Sequence, residues 1–335
     1  MSEPTTTLRP TSPGAEELLG LYFPVLDHGF VALVDYMGTD ECIERAARVS
    51  YGYGTRKQSQ TRGLVRYLRR HLHTTPSEMV EVKLHCCMPM FVARQWIRHR
   101  TASVNEYSGR YSLMPLLFYT PSAEQLQRQS RQNHQGRSGE AVRADEYEEA
   151  RRRWDRIRAE ASGAYEWMTA NDVARELARI DLPLSTYTQW YWKIDLHNLM
   201  HFLELRVDPH AQWEIQAYGR VIAGMLERVA PLSYEAWIDY DVCGARLSRM
   251  ELEALRALLA PTPEGGVVAR PGAGLDATGL EALGLSSREA AELVGKLDAV
   301  EVPRFTLDLT AGRPPEHFAE RFAAAVPAVD RPPPA

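Results

Sequence analysis

The chain has 335 residues, 44% hydrophobic and 25% charged, the balance of a soluble globular protein that can bury a core in one large domain or two ordinary ones. Its net charge of −5 argues against a general basic face for nucleic acid or an anionic membrane, so any anion site must be local. No run of about 18 apolar residues suggests a membrane span, and the opening MSEPTTTLRPTSPG lacks the apolar segment of a secretory signal, so a cytoplasmic protein is expected.

The first ~18 residues, rich in Thr and Pro, read as a mobile tail. From Gly29 to Val49, short apolar runs lead into TDECIERAARVS, a helix that Thr39 or Asp40 would cap. SQTRGLVRYLRRHL, from Ser59, places Leu64, Tyr67, Leu68 and Leu72 at helical spacing. Val80 to Cys87 alternates and is dense in β-formers, which predicts a strand ended by Pro89, with FVARQWIRHR as the helix after it. Residues 126–162 are highly charged, first a loop and then an exposed helix. Residues 184–232 read as strongly helical, with a kink or break at Asp208-Pro209, because proline cannot donate to the ladder. APTPEGGVVARPGAG, Ala260 to Gly274, has linker composition; SSREAAELVGKL is a capped helix, and DRPPPA a frayed end.

The four cysteines, Cys42, Cys86, Cys87 and Cys243, form no CxxC; Cys86 and Cys87 would point to opposite faces of their strand as reduced, buried thiols. YGYGTRK holds a GxG without the third glycine or the βαβ frame of a Rossmann site, and no P-loop pattern occurs. His71, His73 and His85 lack the company of an HExxH motif or a Cys/His cluster, so no metal site is expected. His197 and His201 share a helix face, as ligand-facing groups or as two locally bonded histidines.

The segment RQWIRHRTASVNEYSGRYS, Arg94 to Ser112, is different. Arg94, Arg98, Arg100 and Arg110 share it with a single acid, Glu106, which points to an external anion rather than to internal pairing. On a helix Arg98 and Arg100 would lie about 200° apart and address two ligands. Beyond it, an extended chain would put Glu106, Ser108 and Arg110 on one face, with Gly109 admitting a ligand close to the backbone. A hydroxyl, an amide and a guanidinium suit a phosphate, and Glu106 suits a ribose hydroxyl. In HFLELRVDPHAQWEIQ, Arg206 precedes the Pro209 break; it either serves a site there or pairs with Glu204 or Asp208.

RHRTASVNEYS matches the RHR-x7-S signature of the flavin-dependent thymidylate synthases, with Arg98, His99, Arg100 and Ser108 in place. AARVSYG, HTTPSEMVEVKLHCCMPMFVARQWIRHR, SGRYS, ARIDLPLSTYTQWYW and LRVDPHAQWEIQ resemble that family in order, over roughly residues 28–235. The resemblance implies an α/β protein of α+β type, an antiparallel sheet with packed helices. A catalytic domain would span 19–240, and a C-terminal helical extension, with the linker near 260–274, would span 241–335. It implies FAD held by Ser50, His73, Thr75, Arg98, His99, Arg100, Glu106, Asp195, Leu196, His197 and His201, with Asp195 standing where relatives often carry asparagine. It implies dUMP held by Gln95, Trp96, Ile97, Arg98, Glu106, Tyr107, Ser108, Gly109, Arg110, Arg179 and Arg206, and active sites formed between subunits of a homotetramer.

The implied reaction is reductive methylation of dUMP to dTMP, with methylenetetrahydrofolate as carbon donor and NADPH reducing the FAD. Arg206 is the expected catalytic residue, stabilising negative charge on the pyrimidine. Ser108 is expected as a phosphate contact rather than a nucleophile, since no histidine base is evident beside it, and the cysteines as core. Two alternatives remain: a relative methylating UMP or another pyrimidine nucleotide, and a catalytically idle nucleotide-binding paralogue.

Overall fold

A pair of nine-residue antiparallel strands, about a hundred residues apart in the chain, lies within the main sheet. The computed structural model describes residues 9–49, 61–131, 135–272, 274–298 and 300–327. In order, the elements are α1 (Pro13–Glu16), β1 (Tyr22–Val25), β2 (Gly29–Met37), α2 (Asp40–Val49), α3 (Thr61–Arg70), α4 (Thr75–Glu78), β3 (Glu81–Pro89), α5 (Met90–Trp96) and β4 (Ser103–Glu106). Next come β5 (Gln127–Gln129), β6 (Arg137–Ala141), α6 (Ala144–Ala170), α7 (Arg175–Ala178), β7 (Tyr187–Asp195), α8 (Leu196–Arg206), α9 (Trp213–Val229) and α10 (Pro231–Trp237). The main sheet runs β1-β2-β3-β7-β4 with every neighbour antiparallel, the α+β architecture expected.

The register of β3 on β7 runs from Glu81↔Asp195 to Pro89↔Tyr187. On one face Val82, Leu84, Cys86 and Met88 of β3 and Trp190, Trp192 and Ile194 of β7 are buried. Trp96 of α5 lies at their centre, its ring 5.6 Å from Trp190, 5.2 Å from Trp192, 5.0 Å from Phe202 of α8 and 5.9 Å from Tyr218 of α9. Three of these contacts are edge-to-face and the one with Phe202 is stacked, geometries that aromatic pairs favour. Cys86 and Cys87 do face opposite ways, and both are buried, because Cys87 lies in a second cluster with Phe30, Tyr119, Tyr187, Phe318 and Phe322. Burial holds both thiols protonated, well above the ordinary thiol range.

The segment read as helical from 184 is corrected at its start: residues 187–195 are strand β7. Thr188, Trp190, Trp192 and Ile194 alternate with the less buried Gln189, Tyr191 and Lys193, and this period of two, in aromatic and β-branched residues, prevails. The break at Asp208-Pro209 is present, between α8 and α9. The helix after Pro89 stops at Trp96, so Arg98 and Arg100 do not stand on a helix and the 200° separation does not apply. Leu72 lies outside α3 at a φ of 57° and is exposed. The loop expected from residue 126 includes the hairpin β5–β6, and the linker composition near 260–274 includes a second small hairpin, β8 (Leu259–Pro261) with β9 (Val267–Ala269). Ser12, Ala15 and Leu18, in the stretch expected as a tail, are buried; the Ser12 hydroxyl donates to the Arg228 carbonyl at 2.9 Å.

The chain divides into two units, Met1–Glu235 with Phe305–Ala335, and Ala236–Arg304. The smaller holds α11 (Arg249–Leu258), the hairpin β8–β9, α12 (Ala277–Ala282) and α13 (Ser287–Lys296) around Ala254, Leu280, Leu285, Ala290 and Leu293. Capping boxes at Ser248 and Ser286 start α11 and α13. The larger unit regains the chain at α14 (Pro315–Ala324), whose Phe318 and Phe322 complete the cluster around Cys87. The boundary inferred at 241, with everything beyond it one extension, therefore differs from the observed division. Among the described residues no helix is long and apolar enough to cross a membrane.

Gly29 opens β2 where the chain crosses the core: a Cβ there would lie 2.6 Å from the Cys87 carbonyl oxygen and 2.8 Å from that of Val25, and would strike the Tyr218 hydroxyl. Backbone atoms cannot yield as a flexible side chain would, so Gly29→Ala is expected to cost about 3 kcal/mol, the upper range for overpacking. Urea unfolding of the purified variant checks this, and an unchanged midpoint would contradict it.

Candidate active site

Most of the site residues expected from the sequence fall into two groups. The first surrounds α8. Asp195 caps that helix: its carboxylate accepts from the Asn198 backbone N–H at 2.9 Å and from the Asn198 side chain at 2.7 Å. Leu196 is fully buried, so its side chain belongs to the core. His197 and His201 follow on one face, and the His201 ring lies 5.6 Å from that of His99. His197 is partly buried, and its Nδ1 has no hydrogen-bond partner. His201 also lies 3.6 Å from Glu204. Arg98 and Arg100 are exposed beside His99, and their side chains make no hydrogen bond or ion pair among the described residues.

Arg206 closes α8. Neither expected pairing is made: Glu204 approaches His201, and Asp208 accepts from the backbone and ring of His210. Instead an Nη of Arg206 reaches the Gln95 carbonyl at 3.4 Å, the guanidinium lies 5.9 Å from the Phe202 ring, and Nε is buried without a partner. Burial lowers its affinity for the proton, yet an arginine stays charged, so the group is a cation held ready with unused donor capacity. The Gln95 side chain bonds Gln212, which donates to Glu214 at 2.9 Å; Glu214 is buried and also takes the Tyr119 hydroxyl at 3.0 Å and an Arg137 ion pair. A cavity of about 820 Å³ beside this chain is lined by Gln95, Arg128, Arg137, His210, Gln212 and others. The sequence reading missed Gln212 and Glu214, whose role depends on a contact across more than a hundred residues.

The second group is the turn after β4. Glu106 ends that exposed edge strand and accepts from Thr188 at 2.8 Å. Tyr107 follows, its N–H on the Gln189 carbonyl at 2.8 Å and its hydroxyl on the Leu113 carbonyl at 2.5 Å. Ser108, Gly109 and Arg110 lie in the bend so closed, where the Tyr111 and Ser112 N–H groups both donate to the Ser108 carbonyl. The extended face expected for Glu106, Ser108 and Arg110 is thus corrected: the strand stops at Glu106. The Ser108 hydroxyl accepts from the Arg110 N–H at 3.3 Å, and among the described residues no histidine bonds it. A Cβ on Gly109 would lie 2.5 Å from the Met114 sulfur and 3.1 Å from the Arg179 side chain, so glycine lets Arg179 pack against the bend. Arg110 pairs with Glu176 at 2.9 Å, a partner that counting acids between Arg94 and Ser112 could not reveal. Both side chains are more than half exposed, so the pair is weak and can be exchanged for a ligand.

His73 and Thr75, exposed around the start of α4, border a separate cleft of about 760 Å³ with Leu64, Tyr67, Leu68 and Met79. Trp96, expected beside the substrate, is the buried centre of the core, and its side chain is out of reach of a ligand. Ile97 is exposed in the turn after α5. Ser50 lies outside the described residues.

Residues 32–232 match a family described as "Thymidylate synthase complementing protein". The chain is 48% identical over 303 residues to a flavin-dependent thymidylate synthase of Gluconobacter oxydans, across 89% of this chain and 94% of the relative. With the flavin-dependent thymidylate synthase of Ruegeria pomeroyi the figures are 49% identity, 81% and 89%. Among solved structures, the UMP/dUMP methylase PolB from Streptomyces cacaoi bound with 5-Br UMP superposes with a TM-score of 0.59 at 32% identity, covering 66% of this chain and 98% of that one. The same methylase bound with 5-Br dUMP matches with the same TM-score at 31% identity.

Burial first, and then the His201 and Arg206 charges, hold the His99 imidazole below its ordinary 6.5 against the opposing Asn198 carbonyl and Asp195. Burial likewise lowers His197, with Arg69 next. For such groups the unfolded chain binds more protons, so their contribution to stability is complete above pH 6.5 and lost as the pH falls below it. NMR titration of both imidazoles is expected to give midpoints below 6.5; a midpoint at or above that value for His99 would contradict the packing described.

Proposed function

Because this chain belongs to the thymidylate synthase complementing family of flavin-dependent thymidylate synthases, we propose that it converts dUMP to dTMP with methylenetetrahydrofolate as carbon donor and FAD reduced by NADPH. The observation that carries this reading is Arg206, a half-buried cation with an unpartnered Nε at the end of a helix lined by histidines.

The residues present fit a flavin dinucleotide. Arg98 and Arg100 are unpaired cations for its pyrophosphate, and His99, His197 and His201 supply ring surfaces and polar nitrogens, one of them buried and unsatisfied. His73 and Thr75 add a ring and a hydroxyl beside an apolar cleft. When bound, the flavin supplies the hydride.

The chain's own groups bind and polarise the nucleotide. Ser108, the Gly109 backbone and Arg110 take the phosphate, with Arg179 beside them; Glu106 takes a ribose hydroxyl. Phosphate binding orients the distant ring and turns a collision into a placed encounter. Arg206 faces the pyrimidine, where its charge favours loss of the N3 proton and the electron density that makes C5 nucleophilic. Such preorganised charge acts most strongly where water is excluded. No protein nucleophile is assigned: Cys86 and Cys87 are buried thiols, and among the described residues no histidine bonds Ser108. The homotetramer belongs to this reading, with the two groups of residues completed across subunits; the exposure of all four residues of edge strand β4 supports it.

Methylation of UMP is the second reading, and the structural likeness to a UMP/dUMP methylase favours it. The higher identity to thymidylate synthases places dUMP first. Anaerobic addition of NADPH, with and without dUMP, is expected to bleach the flavin spectrum faster with dUMP; product analysis with dUMP and UMP then decides the nucleotide. A protein that neither holds nor accepts flavin would overturn the proposal.

Arg206→Ala is expected to abolish methylation while flavin content stays near wild type, and normal turnover would remove its assigned role. Arg110→Ala is expected to weaken dUMP by about 1.5–3 kcal/mol, tenfold or more, the range for a hydrogen bond to a charged group. Calorimetric titration with dUMP measures it, and an unaltered affinity would move the phosphate elsewhere.

A further inference from the structure

Tyr107 connects the phosphate turn to a part of the chain that the family match, residues 32–232, does not include. Its ring meets that of Phe322 on α14 edge-on, with centroids 5.3 Å apart and planes at 80°. Phe322 is 9% exposed and shares its cluster with Phe30, Cys87, Tyr119, Tyr187 and Phe318. Tyr107 also packs with the cluster of Met114, Tyr165, Ala178 and Leu182, so its ring is gripped from two sides. The end of α14 adds a backbone tie: the Leu116 N–H donates to the Ala325 carbonyl at 2.7 Å. Further along α14, Arg321 reaches the His28 ring at 2.8 Å, which anchors the helix independently of the turn.

We propose that α14, through Phe322 on Tyr107 and Ala325 on Leu116, is a positioning element that holds the 107–113 turn in the shape that binds the nucleotide phosphate. This rests on the assignment of Ser108, Gly109 and Arg110 to that phosphate. The physical chain is short. The Tyr107 hydroxyl closes the turn onto the Leu113 carbonyl, and that bond requires the ring to stay in one rotamer. Phe322 forms one wall of the slot that selects it. Without that wall the ring samples other rotamers, the closure opens, and the N–H and hydroxyl groups of the bend must be ordered by the ligand itself, which weakens binding. Phe318 provides an internal comparison: it lies on the same helix and in the same cluster, but its ring meets Tyr22, Phe30 and His317, at 6.0, 4.9 and 5.0 Å, and not Tyr107.

The test uses the full-length flavin-loaded protein and variants Phe322→Ala, Phe322→Leu and Phe318→Ala, with binding of dUMP and of deoxyuridine measured alongside KM, kcat, flavin content and Tm. Phe322→Ala is expected to raise Kd and KM for dUMP about five- to tenfold, to leave deoxyuridine binding, flavin content and kcat at saturating dUMP within twofold, and to lower Tm. Phe322→Leu, which keeps most of the wall, is expected to show a smaller shift in the same direction and stands in if the alanine variant does not fold. Phe318→Ala is expected to lower Tm comparably without raising KM for dUMP. The proposal is overturned by a folded Phe322 variant with wild-type dUMP affinity, or by an equal rise in KM for Phe318→Ala. If the wild-type protein binds dUMP no better than deoxyuridine, the phosphate assignment itself fails, a result distinct from failure of the positioning role alone.

Discussion

The pairing of β3 with β7 is the constraint on which the site depends. β3 ends at Pro89 beside the start of β7 at Tyr187, and β7 ends at Asp195 beside the start of β3 at Glu81. Helices α5 and α8 therefore leave the pair at opposite ends. Both pack over the same tryptophan-rich face, and they meet where Trp96 stacks on Phe202. That meeting brings the Gln95 carbonyl to Arg206 and the His99 ring to His201. Arg98, His99 and Arg100 follow the end of α5, while His197, His201 and Arg206 stand on α8, so the candidate groups border a close-packed core.

Charge in this protein is sorted by whether it is answered within the chain. Arg137 and Glu214, or Lys296 and Glu251, join a cation to a buried carboxylate. Glu214 is satisfied by several donors at once, the condition under which a buried carboxylate is tolerated. Arg98 and Arg100 carry no such answer, and Arg206 leaves a buried donor idle. A buried donor without a partner costs about 1–3 kcal/mol, a cost that a ligand or an ordered water would offset. A chain with a net charge of −5 thus presents a concentrated cationic site.

The end of the chain has a structural consequence that its composition hides. Cys87 points away from the tryptophan face, into a cluster with Phe30, Tyr119 and Tyr187 against which Phe91 also packs. Phe318 and Phe322 complete it, which is why adjacent cysteines on opposite faces are both buried. The same helix then reaches Tyr107, so the cluster around Cys87 and the turn after β4 share one element.

The antiparallel fold class came with the family resemblance; the amino-acid sequence alone determined the strand that begins near Val80, the helix beginning near Thr39, the break at Asp208-Pro209 and the capped helix at Ser286. Each is set by local period, capping or proline chemistry. It also singled out Arg94 to Ser112, because cations without nearby acids are visible in a linear chain. What it concealed was non-local. Strand β7 was masked by the helical pattern that follows it, since short apolar segments carry both readings until a partner strand selects one. Trp96, set among the residues expected to contact substrate, is core, because only packing decides whether an aromatic ring faces a ligand or four other rings. Glu176, Gln212 and Phe322 had no signal in the sequence at all: an ion pair, an amide contact and an edge-on ring pair exist only once distant segments are brought together.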